Sequence, residues 1–200
     1  MKNKRKLQKN TRSRLNTKGT FLEEQQRVNQ RQWEEIDREK KELRRDRAIQ
    51  RSEIALSHSS IPSEVDKAIA ELKDVLSEEP THRLSILTLG RIYRHKKQDL
   101  DAAIRELQVF VNKKADLTER DVDYADVNYN ISCYYSLKQS AAKELKDSAG
   151  VETFGNKALE ALQLAVEFSP DNKIDAKADK DFASICEMRP DDFNAITGDS

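Results

Sequence analysis

Few side chains in this sequence are of the kinds that do covalent or metal chemistry, and their spacing does not gather them. There are three histidines, His58, His82 and His95, and two cysteines, Cys133 and Cys186. No histidine stands one helical turn from a second histidine or a cysteine in the spacing that lets two such ligands share a zinc ion. Gly90 and Gly150 are isolated, so no glycine-rich loop is present to cradle a phosphate. The acidic run DKDFASICEMRPDD, which begins at Asp179, lacks the regular oxygen spacing and the glycine of a calcium loop, and it reads as a solvated face. Cys133, beside Tyr134 and Tyr135, reads as a small buried hydrophobe. No catalytic residue, metal or cofactor is expected, and the chain reads as a non-enzyme. The remaining chemistry is charge. Lys2, Lys4, Arg5, Lys6, Lys9, Arg12, Arg14 and Lys18 fill the first 20 residues, with no acidic residue among them. Such an arm contacts the phosphates of RNA, DNA or another polyanion, or else only solubilises the chain. No aromatic residue interleaves the cations, which points to backbone contact rather than base stacking.

The elements that position these groups follow from composition. Of the 200 residues, 36% are hydrophobic and 36% charged, where a soluble domain has about 45–50% and about 25%. That apolar content supports one body of roughly 130 to 150 residues plus a solvated extension. Five glycines and four prolines are too few for an all-β sandwich or a collagen-like chain. The zero net charge conceals a split: residues 1–58 carry 17 basic and 9 acidic groups, and the rest 19 and 27. A basic arm on an acidic body is the implied layout. The basic start is not followed by the apolar core of a signal peptide, and no run of about 18 apolar residues is present. A presequence for an organelle would be richer in Arg and Ser. A cytoplasmic protein with no membrane span is expected.

Along the chain, residues 1–20 lack periodicity and are expected to be disordered. Residues 21–58 contain no Pro or Gly and predict a long charged helix with i,i+4 ion pairs such as Glu34–Arg38. Its best heptad frame places Leu22, Asn29, Ile36, Leu43 and Gln50 at one seam position. Gln25, Gln32, Glu39 and Asp46 fall at the other, so a stable coiled-coil zipper is poorly supported. Val28, Trp33, Ile36 and Leu43 hint at a docking face. Residues 59–188 then show separate helical segments, broken near Pro80, Asp99, Asp116, Gly150 and Pro170, and no sustained strand alternation. Residues 189–200 read as a C-terminal cap or tail.

Those segments repeat. AIAELKDVLSEEP runs from Ala68 to Pro80, and ALEALQLAVEFSP from Ala158 to Pro170. AIRELQVFVNK opens at Ala103 with the same face. Before the second and third of the helices they mark, Leu89-Gly90 precedes Tyr93, and Ile131-Ser132 precedes Tyr135. This pattern resembles the tetratricopeptide repeat family. The resemblance covers roughly residues 50–188 and implies an all-α, short helical-repeat array of about three repeats. Gly90 or Ser132 would admit a close partner helix, Tyr93 and Tyr135 would fill the space between repeats, and Pro80 and Pro170 would stop the second helices. The pattern departs from the family in three places. The loop before Ala103 is one residue too long, Ala115 replaces a terminal Pro, and an insertion follows Ser136. The first repeat has only Ala55-Leu56 and Ser59 for its first helix. Phe182, Ile185 and Phe193 would pack the closing cap.

In such arrays the first helices line a concave groove that takes an extended peptide or a helix. By register, Leu87, Arg91, Arg94 and His95 would face it from one repeat, and Asp126, Tyr129, Asn130 and Cys133 from the next. Arg and Tyr are favoured interface anchors, and Asn130 can both donate to and accept from a partner's backbone. The alternative for Tyr129 is a place in the core between repeats. The Lys and Asn positions that grip a C-terminal carboxylate in some family members hold Leu87 and Arg91 here, so that clamp is not implied. The sequence therefore reads as a protein-interaction scaffold or adaptor. The alternative is a nucleic-acid- or ribosome-associated factor that works through its arm.

Overall fold

The computed structural model describes the backbone of residues 2–58, 61–115 and 121–198, and the side chains of 24–57, 61–114 and 121–198. The described chain is all-α, with no strand. It divides into two compact units, residues 1–44 and 45–200.

The first unit is a stretch of helix α1 (Lys2–His58). Backbone helix runs through the segment expected to be disordered. Lys, Arg, Gln and Leu are good helix formers. Adding turns to the end of an established helix avoids the cost of a new nucleus. The side chains of the eight arm cations lie outside the described residues. From Glu24 to Arg44 every side chain is exposed. Lys41 pairs with Asp37 at 3.2 Å, and Gln30 donates to Glu34 at 2.8 Å, both at the i,i+4 spacing that supports a solvated helix. The four apolar residues of the hinted docking face stay exposed as well, Trp33 at 67% and Leu43 at 70%.

The second unit begins at Arg45, not at residue 59. Ala48, Ser52 and Ala55 of α1 are buried against Val65, Ala68, Leu72 and Val75 of α2 (Pro62–Glu78), with Leu89 and Ile92 of α3 (Arg83–Ile92). The small α1 residues recur at spacings of four and three, which makes one close-packing face. Arg45 and Arg51 reach across to Glu79 and Glu71. Beyond α3 follow α4 (Leu100–Ala115), α5 (Val122–Glu144) and α6 (Ser148–Phe168). Then come α7 (Asn172–Ala178), a 3-10 turn (Lys180–Phe182), α8 (Ala183–Met188) and α9 (Pro190–Thr197). The main core joins Leu107 and Phe110 of α4, Val127 and Tyr134 of α5, and Leu162 of α6. Phe182, Ile185 and Phe193 close it from the C-terminal segment, as expected for cap residues.

Pro80 and Pro170 lie just past the ends of α2 and α6. The break expected near Gly150 falls a few residues earlier, and Gly150 itself lies in the first turn of α6. The chain turns at Leu145–Asp147, where Lys146 takes a φ of 58°. Asp147 then caps α6 by accepting from the Gly150 amide at 3.0 Å, the usual N-cap bond. The insertion after Ser136 thus lengthens α5 and α6 instead of forming a loop. Before Ala103 a π-helical turn, Tyr93–Lys97, continues α3. It ends on Gln98 in the left-handed region, φ 52°.

Candidate binding face

Leu84, Leu87 and Arg91 fall three and four residues apart on α3, so they share one helix face. Leu84 is 50% exposed, Leu87 is partly buried and Arg91 is exposed. Both ends of α3 are tied to α5. At its start the Arg83 guanidinium pairs with Asp126 and, at 3.3 Å, with Asp123. At its end the π turn places Arg94 about 5.7 Å from the Tyr134 ring centroid. The Arg94 guanidinium also donates to Asp181 at 2.6 Å. A one-residue π bulge rotates the downstream turn relative to the helix before it, and here it carries Arg94 towards the core. Gly90 explains the close approach: a Cβ there would meet Leu107 and the Tyr134 hydroxyl, each at 3.4 Å. The neighbours are therefore on α4, the helix that carries Ala103, and on α5. Ser132 on α5 donates to the Ala158 carbonyl of α6 at 2.7 Å.

The α5 side chains have separate roles. The Tyr129 hydroxyl donates to Asp179 at 3.1 Å, and its ring meets Phe182 edge-on with centroids 5.7 Å apart. Tyr129 is thus partly committed to the cap, and burial, followed by the acidic neighbours, holds its hydroxyl far above the ordinary phenol range. Asn130 donates its amide to the Asp126 carbonyl one turn back, at 2.9 Å. Tyr135 stacks on Phe154 of the paired helix α6, at 6.4 Å between centroids. It fills space within its helix pair instead of between repeats. His95 is exposed, and partial burial together with the Arg94 and Arg91 cations pushes its ring below the ordinary imidazole value. His82 lies away from this face, its Nδ1 2.8 Å from the Ser85 hydroxyl.

Asp179 and Asp181, read from sequence as a solvated run, instead close the end of the face. Asp179 accepts from the Asp181 amide at 2.9 Å, so it caps the 3-10 turn and aims both carboxylates at α5. The Asx-type pattern of an Asp two residues before a second one was the available signal. Cys133, Asp179 and Asp181 bring three potential ligand atoms within 4.8 Å of one another. The cluster is already satisfied: Asp181 is neutralised by Arg94, and Asp179 accepts from Tyr129 and from the Cys133 thiol at 3.6 Å. Burial and the two carboxylates push that thiol far up, so it is not a ready thiolate. A guanidinium in the cluster disfavours a cation there.

Compared with models of known families, with curated proteins and with solved structures, the chain matches none. Among the described residues, no helix is long and apolar enough to cross a membrane.

Proposed function

We propose that this chain is a non-enzymatic adaptor whose body is a short tetratricopeptide-like array that holds a protein segment on the α3–α5 face. The observation that carries the reading is the α3 surface itself. Leu84 and Leu87 leave apolar area open beside Arg91, while the flanking side chains are fixed by the Arg83 and Arg94 bridges. A pre-ordered patch with an apolar floor and an arginine is the kind of surface that binds without a large ordering cost. The equivalent placements of Gly90 and Ser132 against α4 and α6 support the repeat register. The test is capture of a protein partner by the intact chain, with a Leu87→Ala, Arg91→Ala, Asn130→Ala variant beside it. Loss of capture in a variant of unchanged helicity supports the reading, and retention overturns this choice of face.

A second reading concerns the arm, because eight cations and no acid occupy residues 1–20. In this reading the arm contacts RNA phosphates, so a gel shift on bulk RNA weakens steeply with salt and is lost on deleting residues 1–20. A shift that survives the deletion rules it out.

A further inference from the structure

Around the α3 face the acids other than Asp175 are occupied, and the Arg91 cation is not. Asp123 and Asp126 are held by Arg83, and Asp181 is held by Arg94. Asp179 receives the Tyr129 hydroxyl, the Cys133 thiol and the Asp181 amide. Arg83 and Arg94 are consumed by these bridges. Arg91 is exposed and makes no hydrogen bond or ion pair among the described residues. His95 lies one turn on and is exposed as well, and Lys96 is beside it. The opposite edge of the face is acidic: Asp175 of α7 is exposed and lies close enough to act on the Tyr129 hydroxyl. So although residues 59–200 carry 19 basic against 27 acidic groups, the open charge at the α3 edge is positive. Leu84 and Leu87 lie on the same side as Arg91, within two helical turns.

Resting on the adaptor reading, we infer that the occupant of this face is an acidic–apolar peptide segment. Its Asp or Glu pairs with Arg91, and an apolar side chain lies over Leu84 and Leu87. Arg forms bidentate bonds with a carboxylate, which fixes direction as well as adding affinity. From Leu84 to Arg91 is seven residues, about 10 Å along the helix. An extended occupant spans that in about three residues, and a helical one in about seven. The acid is set at the α3 edge because Asp175 repels it from the α7 edge.

A random dodecapeptide phage library panned on the full chain tests this. The expected result is enrichment of Asp or Glu three or seven residues from a large apolar residue. A synthetic peptide of the winning sequence should then bind about tenfold more weakly to Arg91→Glu, and its Asp/Glu→Lys version should recover on that variant. The protein change is on the exposed Arg91 side chain, so folding is left intact. Selected peptides that lack acids, but lose binding to Leu84→Asp on the exposed part of the same face, overturn the charge inference and leave the groove reading standing. No selected peptide, or selected peptides indifferent to both variants, overturns the groove reading and this inference with it.

Discussion

Residues 24–44 of α1 and the helices of the second unit draw on similar charged vocabularies but do different things with them. In the first stretch the charges pair along one helix, as in Asp37–Lys41, and every side chain is exposed. In the second unit they pair between helices, as in Arg51–Glu71, Lys73–Glu106 and Arg94–Asp181. The difference lies in the apolar residues between the charges. Val28, Trp33, Ile36 and Leu43 are too sparse to make a buried face. Leu72, Leu89, Leu107 and Phe110 lie on faces dense enough to be wholly buried. Charge content alone therefore says little about whether a helix is solvated. The number of apolar residues on one face decides it.

The sharpest way to break that comparison is to truncate one aromatic in each region. Phe110 is fully buried and Trp33 is 67% exposed. Phe110→Ala should cost about 3–5 kcal/mol through lost burial and a cavity. Trp33→Ala should change stability by less than about 0.5 kcal/mol. Urea melts followed by circular dichroism measure both. A large loss from Trp33→Ala would show that α1 is held by a partner face, for instance in a second copy.

The next effect sharpens what packing means in the second unit. A Cβ on Gly90 would lie 3.4 Å from Leu107, which the neighbours can accommodate, so Gly90→Ala should be nearly neutral. Gly90→Leu has no such room and should cost about 1–3 kcal/mol by overpacking. If Gly90→Leu melts like the parent, α3 does not pack against α4 and α5 as described.

Much of this second unit was legible in the sequence. Pro80 and Pro170 end helices because proline lacks the N–H and clashes with the preceding turn. Phe182, Ile185 and Phe193, read from the family resemblance as packing residues, are buried. Other features depend on choices that sequence leaves open. The segment before Ala103 reads as a long loop, whereas the structure continues α3 through a π turn that places Arg94 over the Tyr134 ring. Gly150 looks like a breaker, but Asp147 three residues earlier turns it into the first turn of α6. The arm's composition matches disordered chains, and composition does not register that a helix already exists to extend. At the candidate face, Arg91 was readable from helical register. The occupation of Arg94 by Asp181 was not, since the two are 87 positions apart.

That Arg94–Asp181 bridge gives a third, smaller effect. The side chains are 26% and 14% exposed, so their pairing is worth more than a surface ion pair and less than a fully buried one. Arg94→Met should cost about 1–3 kcal/mol, because Asp181 is left partly buried without its donor. Adding Asp181→Asn to Arg94→Met should recover part of the loss. If the double variant is no better than the single one, the bridge contributes only packing on Tyr134.

The smallest effect is one that residues 24–44 cannot produce, because they contain no histidine. His82 is partly buried with Nδ1 beside the Ser85 hydroxyl. Burial pushes its ring below the ordinary value of 6.5, Glu79 opposes this, and Arg45 adds to it. His95 is lowered in the same direction, by burial and then by Arg94 and Arg91. The folded state therefore prefers both rings neutral, whereas the unfolded chain protonates them near the ordinary value. Where the unfolded state binds more protons, stability rises with pH. The contribution is thus fully present above about pH 6.5 and fades as pH falls through the lower folded values. Carboxylates begin to titrate only near pH 4–5, so the window between about pH 7 and pH 5.5 belongs largely to histidine. Melting temperature at constant ionic strength should decline slightly across it, and His82→Gln with His95→Gln should flatten the decline. An undiminished slope in the double variant would assign it to other groups, and a slope of opposite sign would mean that these rings gain a partner carboxylate on folding.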